Sequence, residues 1–469
     1  MDSLAIIILA AGKGTRMKSD TAKVLHPVAG LPLLTYPLRT AQAFSPQKLV
    51  VVVGHQAGQV EELFAGENLV FARQEQQLGS GHAVAVTEEL LAGFSGTILI
   101  MCGDVPLIRV ETIERFLAEH WQRAATVSVL TVNLEDPSGY GRVVRDAAGA
   151  LQRIVEHRDA TGEERLIREI NTGIYCCDAS FLYAALKKIG KNNDQGEYYL
   201  PDIIHRAVTG GLPAAAVITE DFQEVKGIND RIDLAEAERV MRQRILAQHM
   251  QGGVTIIDPA ATYIEYGVTV GADTVIYPNA SIRGKSAIGS SCVIDMNATI
   301  IDSTIGNRVH IRPSCVIDGS RVADRVTIGP FAHLRPQTVV EEGGRIGNFV
   351  EVKKSRIGRG SKANHLSYLG DATIGEGVNI GAGTITCNYD GTTKHPTVIE
   401  DRVFVGSNTS LVAPVTIGAG GVIGAGSTIT KNVPADALAV ARAPQTNYEN
   451  YHPLSRGKQG AEKPDKEQT

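Results

Sequence analysis

Aliphatic positions in the C-terminal half of the chain fall on a six-residue beat. Ile276, Ile282, Ile288, Ile294 and Ile300 are evenly spaced. After single-residue slips the beat returns at Ile305, Ile311 and Ile317, then at Val322, Ile328, Leu334, Val340, Ile346 and Val352. It resumes over Ile399, Val405, Leu411, Ile417, Ile423 and Ile429. A helix repeats near 3.6 residues and a strand near 2, so neither alone produces this period. A coil with flat sides six residues long does, because it turns one aliphatic side chain per side onto a common axis. Three sides close such a coil, so a prism of parallel strands is expected over residues 252–452. Glycine directly after many of the aliphatics (Gly289, Gly306, Gly329, Gly347, Gly375, Gly381, Gly418) fits corners that need unusual backbone angles. Between Ile385 and Ile399 the beat lapses and a polar stretch, residues 386–394, intervenes. A loop ejected from a rigid scaffold is where function is usually carried.

The N-terminal half has a different rhythm. Short apolar runs at Ala5–Leu9, Leu49–Val53, Thr97–Met101 and Thr126–Val132 read as strands. Amphipathic stretches over Pro32–Ala43, Gly81–Ala92 and Val110–His120 read as helices between them. Such alternation predicts an α/β domain with a mainly parallel sheet over residues 1–228. A long amphipathic helix follows from Asp230 to about Met250, capped by Asn229 or Asp230 and stopped by Gly252-Gly253, giving a linker over 229–251. Residues 453–469 are polar and expected to be disordered.

Composition narrows the class. A net charge of −5 with no basic block outside the tail argues against a nucleic-acid partner. No apolar run reaches the roughly 18 residues of a membrane span. Six cysteines without C-x-x-C or metal-ligand spacing read as reduced thiols of a cytoplasmic protein.

The chemistry starts where the first strand ends, at Leu9-Ala10-Ala11-Gly12-Lys13-Gly14-Thr15-Arg16-Met17, with Lys23 beyond it. Small residues let backbone N–H groups approach phosphate oxygens, and Arg16 and Lys23 add cations for a polyphosphate. The string matches neither the Walker P-loop nor the dinucleotide fingerprint. It resembles the loop of sugar-1-phosphate nucleotidylyltransferases. Joined to a hexapeptide prism, the chain resembles the bacterial family of bifunctional N-acetylglucosamine-1-phosphate uridylyltransferases / glucosamine-1-phosphate N-acetyltransferases over residues 4–452. Further strings in family order are Gln77-Leu78-Gly79-Ser80-Gly81-His82-Ala83, Gly103-Asp104-Val105-Pro106-Leu107, Gly139-Tyr140-Gly141-Arg142, Ile154-Val155-Glu156-His157, Asn171-Thr172-Gly173 and Gln195-Gly196-Glu197-Tyr198-Tyr199.

The resemblance implies a Rossmann-like nucleotidyltransferase domain, a linker helix and a left-handed parallel β-helix; the period alone does not give the hand. It implies that Leu9, Ala10, Ala11, Gly12, Lys23, Gln74, Gly79, Ser80, Cys102 and Gly103 hold the nucleotide. Gly141, Glu156 and Asn171 would meet the sugar, and Asp104 and Asn229 would bind Mg²⁺. Arg16 and Lys23 would offset charge on the triphosphate. Cys102 and Ser80 depart from the tyrosine and threonine common in relatives.

In the prism the same resemblance implies a second centre. Arg335, Lys353 and Lys394 would clamp the phosphate of glucosamine 1-phosphate, with Tyr368 and Asn379 on the sugar. His365 would be the general base, with Glu351 orienting it. Asn388 and Tyr389 would meet the sugar or acetyl group, with Asn388 and the Ala382 and Ser407 region polarising the thioester carbonyl. Ala425 and Arg442 would contact acetyl-CoA. The family assembles as homotrimers, and its product feeds peptidoglycan and, where present, lipopolysaccharide synthesis. Two rivals remain at this stage. A single-activity nucleotidylyltransferase with a merely trimerising or regulatory prism predicts loss of His365 or Asn388, and both are present. A purely structural rod would not need the irregular loop or the Lys353 and Lys394 cations.

Overall fold

The computed structural model describes residues 3–449 and 451. The polar tail expected over 453–469 lies outside the described residues. Compactness divides the chain inside the repeats. Residues up to Val270, with Ser281–Ser286, form one unit, and Gly271–Ala280 with residues from Ala287 onward form the other.

The first unit is built on one sheet in the order Ala214–Thr219, Val127–Asn133, Glu169–Asp178, Thr97–Cys102, Leu4–Ala10, Lys48–Val53, Val70–Arg73. Neighbours run parallel except Glu169–Asp178, which is antiparallel to both of its partners. The hairpin Arg142–Arg145 and Leu151–Val155 branches from that antiparallel strand. Alternate residues of the first strand supply two separate cores. Ala5 and Ile7 pack with Leu182, Leu186, Ile203 and Ile204, while Ile6, Ile8 and Ala10 pack with Leu38, Ile113, Phe116 and Leu117. Burial on both sides explains why these strands are continuous apolar runs rather than alternating ones.

The expected helices appear at Thr35–Ala43, Ser80–Ala85 and Val110–Gln122. The long helix spans Arg231–Gln251. Asp230 is its N-cap, accepting from Ile232 N at 2.9 Å and Asp233 N at 3.0 Å, and Gly252 closes it. Its buried stripe is Ala237, Met241, Ile245 and Leu246, whereas Ile232 in the first turn is 80 % exposed. The first coil of the repeats belongs to this unit because it is tied there. Tyr266 N donates to Ala29 O at 2.9 Å, the Tyr36 ring meets Tyr266 edge-on at 5.6 Å, and Arg242 lies over the Tyr263 ring at 4.3 Å.

The second unit is the parallel β-helix, with three flat faces of short strands. Face 1 includes Thr327–Ile328, Arg345–Asn348, Lys362–His365, Asn379–Ile380 and Phe404–Val405. Face 2 includes His333–Leu334, Glu351–Lys353, Tyr368–Gly370 and Ile385–Cys387. Face 3 includes Val339–Val340, Arg356–Ile357, Ala372–Ile374 and Thr397–Ile399. The beat residues stack in register, for example Ile311 on Ile328, Ile328 on Ile346, and Leu334 on Val352, and all are buried. Each such burial contributes roughly 1.5–3 kcal/mol.

Corner lengths are unequal. From Ile276 onward the spacing from a face 1 beat residue to the next on face 2 is six, as in Ile294 to Ile300, Ile328 to Leu334 and Val405 to Leu411, and so is that from face 3 to face 1, as in Ile305 to Ile311 and Ile399 to Val405. Beyond that first coil the departures fall between faces 2 and 3, among them Ile300 to Ile305, Ile317 to Val322, Val352 to Ile357, Leu369 to Ile374 and the long excursion from Thr386 to Ile399. Backbone twists into the left-handed region at most corners, and between faces 1 and 2 this falls on Asn297, Ser314, Phe331, Phe349, Leu366, Gly383 and Asn408.

Candidate functional site

A cleft of about 430 Å³ opens where the strands Leu4–Ala10 and Thr97–Cys102 end side by side. Ligands in open α/β sheets sit at such carboxyl ends. Leu9, Ala10, Ala11, Gly12, Lys23, Gln74, Gly79, Ser80, Cys102 and Asp104 all line it. Arg16 stands outside the lining, exposed on the short turn Thr15–Met17. Gly14 has a φ of 60°, and a Cβ there would meet Lys23 Cβ at 2.7 Å, so glycine is required for the turn to close on that lysine.

Opposite that turn, Gln74 is buried and its Nε2 donates to Gly79 O at 3.1 Å. Gly79 has a φ of 111° with Tyr198 O only 2.5 Å from where a Cβ would sit. Ser80 Oγ accepts from Leu200 N at 3.0 Å, so this hydroxyl buttresses the cleft wall. Cys102 donates weakly to Gly173 O at 3.5 Å. Burial, then the charge of Asp104, pushes its thiol up to about 12, so it meets a ligand as a neutral group.

Asp104 is ion-paired with Lys23 across the cleft. Its carbonyl accepts from Ile228 N at 2.9 Å, which brings Asn229 alongside. Among the described residues no cluster of three or more His, Cys, Asp or Glu could hold a metal. A cation here would therefore have one carboxylate and one amide oxygen from the protein. That donor set fits Mg²⁺, which keeps waters and takes its remaining ligands from substrate phosphates.

Gly141, Glu156 and Asn171 converge a short way off. Asn171 N donates to Gly141 O at 2.9 Å, and a Cβ on Gly141 would lie 3.1 Å from Glu156 Oε1. Burial, then Asp159 and Asp202, holds the Glu156 carboxyl above the usual range. Arg142, missed in the sequence, is fully buried behind this group. It donates to Tyr140 O and approaches His157 Nδ1 at 3.3 Å, bracing the glycine turn from below.

In the β-helix the expected residues separate by face. Arg335, Glu351, Lys353 and Tyr368 project from face 2, and Lys394 follows it in the ejected loop. Arg335 donates to Glu351 at 2.8 Å, and Lys353 lies 4.0 Å from Asp371. Lys353 beside it holds the Lys394 ammonium below its ordinary range, so the two cations crowd each other. Asn388, buried under the loop, donates to Asp371 at 2.5 Å. The loop is wound about Asp390, which accepts from Thr392 N and Thr393 N at 2.8 Å, from both hydroxyls at 2.9 Å, and pairs with His395 at 2.6 Å. These contacts hold its carboxyl well below the usual range. The Tyr389 hydroxyl donates to Gly391 O at 2.6 Å, leaving the ring exposed.

His365 ends a strand of face 1 and borders a hollow of about 450 Å³ with Arg312, Arg345 and Asn348. Its Nδ1 is 2.7 Å from Asn348 Oδ1. An amide oxygen only accepts, so Nδ1 carries the proton and Nε2 keeps its lone pair. Within one chain the partner of His365 is thus Asn348, while Glu351, expected to orient it, is engaged with Arg335 on the next face. Asn379 is on the same face as His365. Ala382, Ser407 and Ala425 occupy the equivalent place in successive coils, linked by Asn408 N to Ala382 O at 2.7 Å and Gly426 N to Ser407 O at 2.8 Å. Arg442 extends the row by donating to Ala425 O at 2.8 Å. One chain therefore carries a column ending in an imidazole on face 1 and a cation cluster on face 2, with an edge between them.

Asn348, Asp371 and Asp390 were not singled out in the sequence. The signal for Asn348 was available, since it lies 17 residues before His365, one coil away.

Comparison with known proteins supplies the context. Residues 5–236 match the family model for nucleotidyl transferases, and residues 396–431 match that for the bacterial transferase hexapeptide. The chain is 53 % identical over 452 residues to the bifunctional protein GlmU of Geotalea daltonii, covering 96 % of this chain and 99 % of that one. It is 54 % identical over 444 residues to that of Syntrophotalea carbinolica, covering 95 % and 96 %. Against that of Halalkalibacterium halodurans it is 50 % identical over 451 residues, covering 96 % and 99 %. No helix among the described residues is long and apolar enough to cross a membrane.

Proposed function

The chain belongs to the family of bifunctional GlmU proteins, and from that membership we propose two consecutive reactions in the cytoplasm. The β-helix, residues 252–452, acetylates glucosamine 1-phosphate from acetyl-CoA. The N-terminal domain, residues 1–228, joins the product to UTP, giving UDP-N-acetylglucosamine and pyrophosphate; residues 229–251 link the two.

In uridylyl transfer a phosphate oxygen of N-acetylglucosamine 1-phosphate attacks the α-phosphorus of UTP, and the bond to the β-phosphate breaks. The protein's task is positioning and charge neutralisation. The Ala10–Gly12 backbone and Lys23 receive the triphosphate, and Arg16 faces it from the rim. Gln74, Gly79 and Ser80 shape the wall for the base, with Cys102 and Gly103 at the floor. Gly141, Glu156 and Asn171 hold the sugar hydroxyls and amide. Mg²⁺ on Asp104 and Asn229 would supply Lewis-acid neutralisation of the leaving pyrophosphate.

In acetyl transfer the sugar amine attacks the thioester carbonyl, the C–S bond breaks, and coenzyme A leaves as the thiol. His365 Nε2 accepts the amine proton, a contribution of typically 10²–10⁴-fold. Arg335, Lys353 and Lys394 hold the phosphate, whose two negative charges relieve the crowding of the lysines. Tyr368 and Asn379 bind the sugar, and Asn388 and Tyr389 flank the acetyl group. Ala382, Ser407, Ala425 and Arg442 hold acetyl-CoA along their column.

One observation carries this reading: the imidazole and the phosphate clamp stand on adjacent faces of one prism. Neither face alone has both, so the centre is completed by a neighbouring copy in a homotrimer. There Glu351 of one copy, paired with Arg335 of its own chain, would also meet His365 of the next. The test is a pair of half-reaction assays. His365→Ala should abolish acetyl transfer and spare uridylyl transfer, and Asp104→Ala the reverse. Loss of both activities from either variant as a folded trimer would overturn the assignment of separate centres.

A further inference from the structure

Asn171 stands half-buried among the residues that meet the sugar, and its neighbours settle which end of its amide is free. Gly173 N and the Tyr175 hydroxyl both donate to Asn171 Oδ1, each at 2.9 Å. A backbone N–H can only donate, so the atom it meets is the amide oxygen and not the nitrogen. The oxygen is thereby occupied twice, while Nδ2 has no hydrogen-bond partner among the described residues. A local break in the sheet brings these groups together. The strand Glu169–Asp178 slips register against Val127–Asn133 between Asn171 and Tyr175, and Gly173 within the slip has a φ of 81°. Bulges of this kind re-aim side chains beside active sites. The Tyr175 ring is fully buried. Burial, then the charge of Glu156, holds its hydroxyl well above the usual phenol range, so it stays a donor. Across Gly141, Glu156 supplies the opposite chemistry, since a carboxyl oxygen accepts whether or not the acid is protonated.

We propose that Tyr175 is a positioning residue that sets the choice of sugar in uridylyl transfer. By pinning Asn171 Oδ1 it leaves a fixed N–H donor, beside the Glu156 acceptor, for an acetamido group. The inference rests on the reading that Gly141, Glu156 and Asn171 hold the sugar. An acetamido group carries one carbonyl acceptor and one N–H donor, which match the Asn171 donor and the Glu156 acceptor. As an ammonium, the amine of the unacetylated sugar has donors only, so it would set N–H groups against Asn171 Nδ2. A site built to hydrogen-bond a substrate group discriminates sharply against an analogue that lacks it. The order of the two reactions is then enforced at the second centre, which refuses sugar that has not been acetylated.

The test compares kcat/KM for uridylyl transfer to N-acetylglucosamine 1-phosphate and to glucosamine 1-phosphate, on the full chain without acetyl-CoA. Tyr175→Phe should lower the preference for the acetylated sugar about three- to tenfold, the scale of one hydrogen bond. The loss should appear in KM for the sugar, with UTP binding by calorimetry unchanged. Asn171→Asp keeps the shape and the acceptor for Gly173 N but turns the free donor into an acceptor. It should cut the preference by a further factor of about ten or more. This variant leaves the buried phenol in place, so it decides the matter if Tyr175→Phe folds poorly. An unchanged preference in folded Tyr175→Phe overturns the role of Tyr175, and an unchanged preference in Asn171→Asp overturns the donor itself. Unmutated protein that uses both sugars equally, or neither, overturns instead the substrate reading on which the inference stands.

Discussion

If each acetyl centre takes its base from one copy and its phosphate clamp from the next, two inactive variants should rescue each other. His365→Ala removes the face 1 contribution and leaves face 2 intact; Lys353→Ala does the opposite. Loss of the base costs typically 10²–10⁴-fold. Loss of one clamp cation costs roughly 30-fold or more, by the scale for truncating one member of a close charge pair. Unfolding, mixing in equal amounts and refolding distributes the chains at random. About three quarters of the trimers are then mixed, and every mixed trimer contains a single groove with both intact contributions. One centre in three across three quarters of the trimers gives about one quarter of the unmutated acetyl transfer. The assay follows coenzyme A release at saturating acetyl-CoA, with uridylyl transfer as an internal standard that should stay constant. Activity no higher than the mean of the two parents would mean that one chain supplies both parts, and the two-face argument would fail.

Two further outcomes follow from other parts of the molecule. His120 is buried against Ser128 Oγ at 2.8 Å, and burial lowers its pKa from 6.5 to about 4. The unfolded chain therefore binds the extra proton between those values, so stability is constant above the unfolded pKa and falls as pH drops through the window. The loss for this group is about 2 kcal/mol between pH 7 and 5. Urea unfolding of the wild type and His120→Gln should diverge by that amount, and parallel curves would refute the claim. Asp390→Ala removes the acceptor that winds the ejected loop, so KM for glucosamine 1-phosphate should rise about tenfold or more while uridylyl transfer stays unchanged. An unaltered KM would mean that the loop holds its shape without that carboxylate.

The six-residue beat was sufficient to read the prism because each beat residue faces the same axis whatever its neighbours are. The Asp230 cap and the glycine turn after the first strand were legible for the same reason: their chemistry is local. What escaped notice depends on partners far along the chain. The antiparallel strand Glu169–Asp178 sits between two parallel halves of the sheet, a placement set by packing. Arg142 is charged by type yet fully buried, its two terminal nitrogens donating to the carbonyls of Tyr140 and Arg165 while its Nε has no partner among the described residues, and no spacing rule connects it to either carbonyl. Ile232 is aliphatic by type yet 80 % exposed, in a first helical turn whose Asp233 and Leu234 are half-buried. Contacts one coil apart, such as Asn348 with His365 and Arg335 with Glu351, could have been found by reading side chains at the coil period as well as the beat.

The uneven corners set how such a chain can change length over time. Adding or deleting a residue between faces 2 and 3 merely loosens a bend, as the excursion from Thr386 to Ile399 shows on the largest scale. The same event within a strand would rotate every later side chain by one place, swapping inside for outside until a second event restored the frame. Gains and losses in descendants of this sequence should therefore collect along one ridge of the column, or arrive as entire turns.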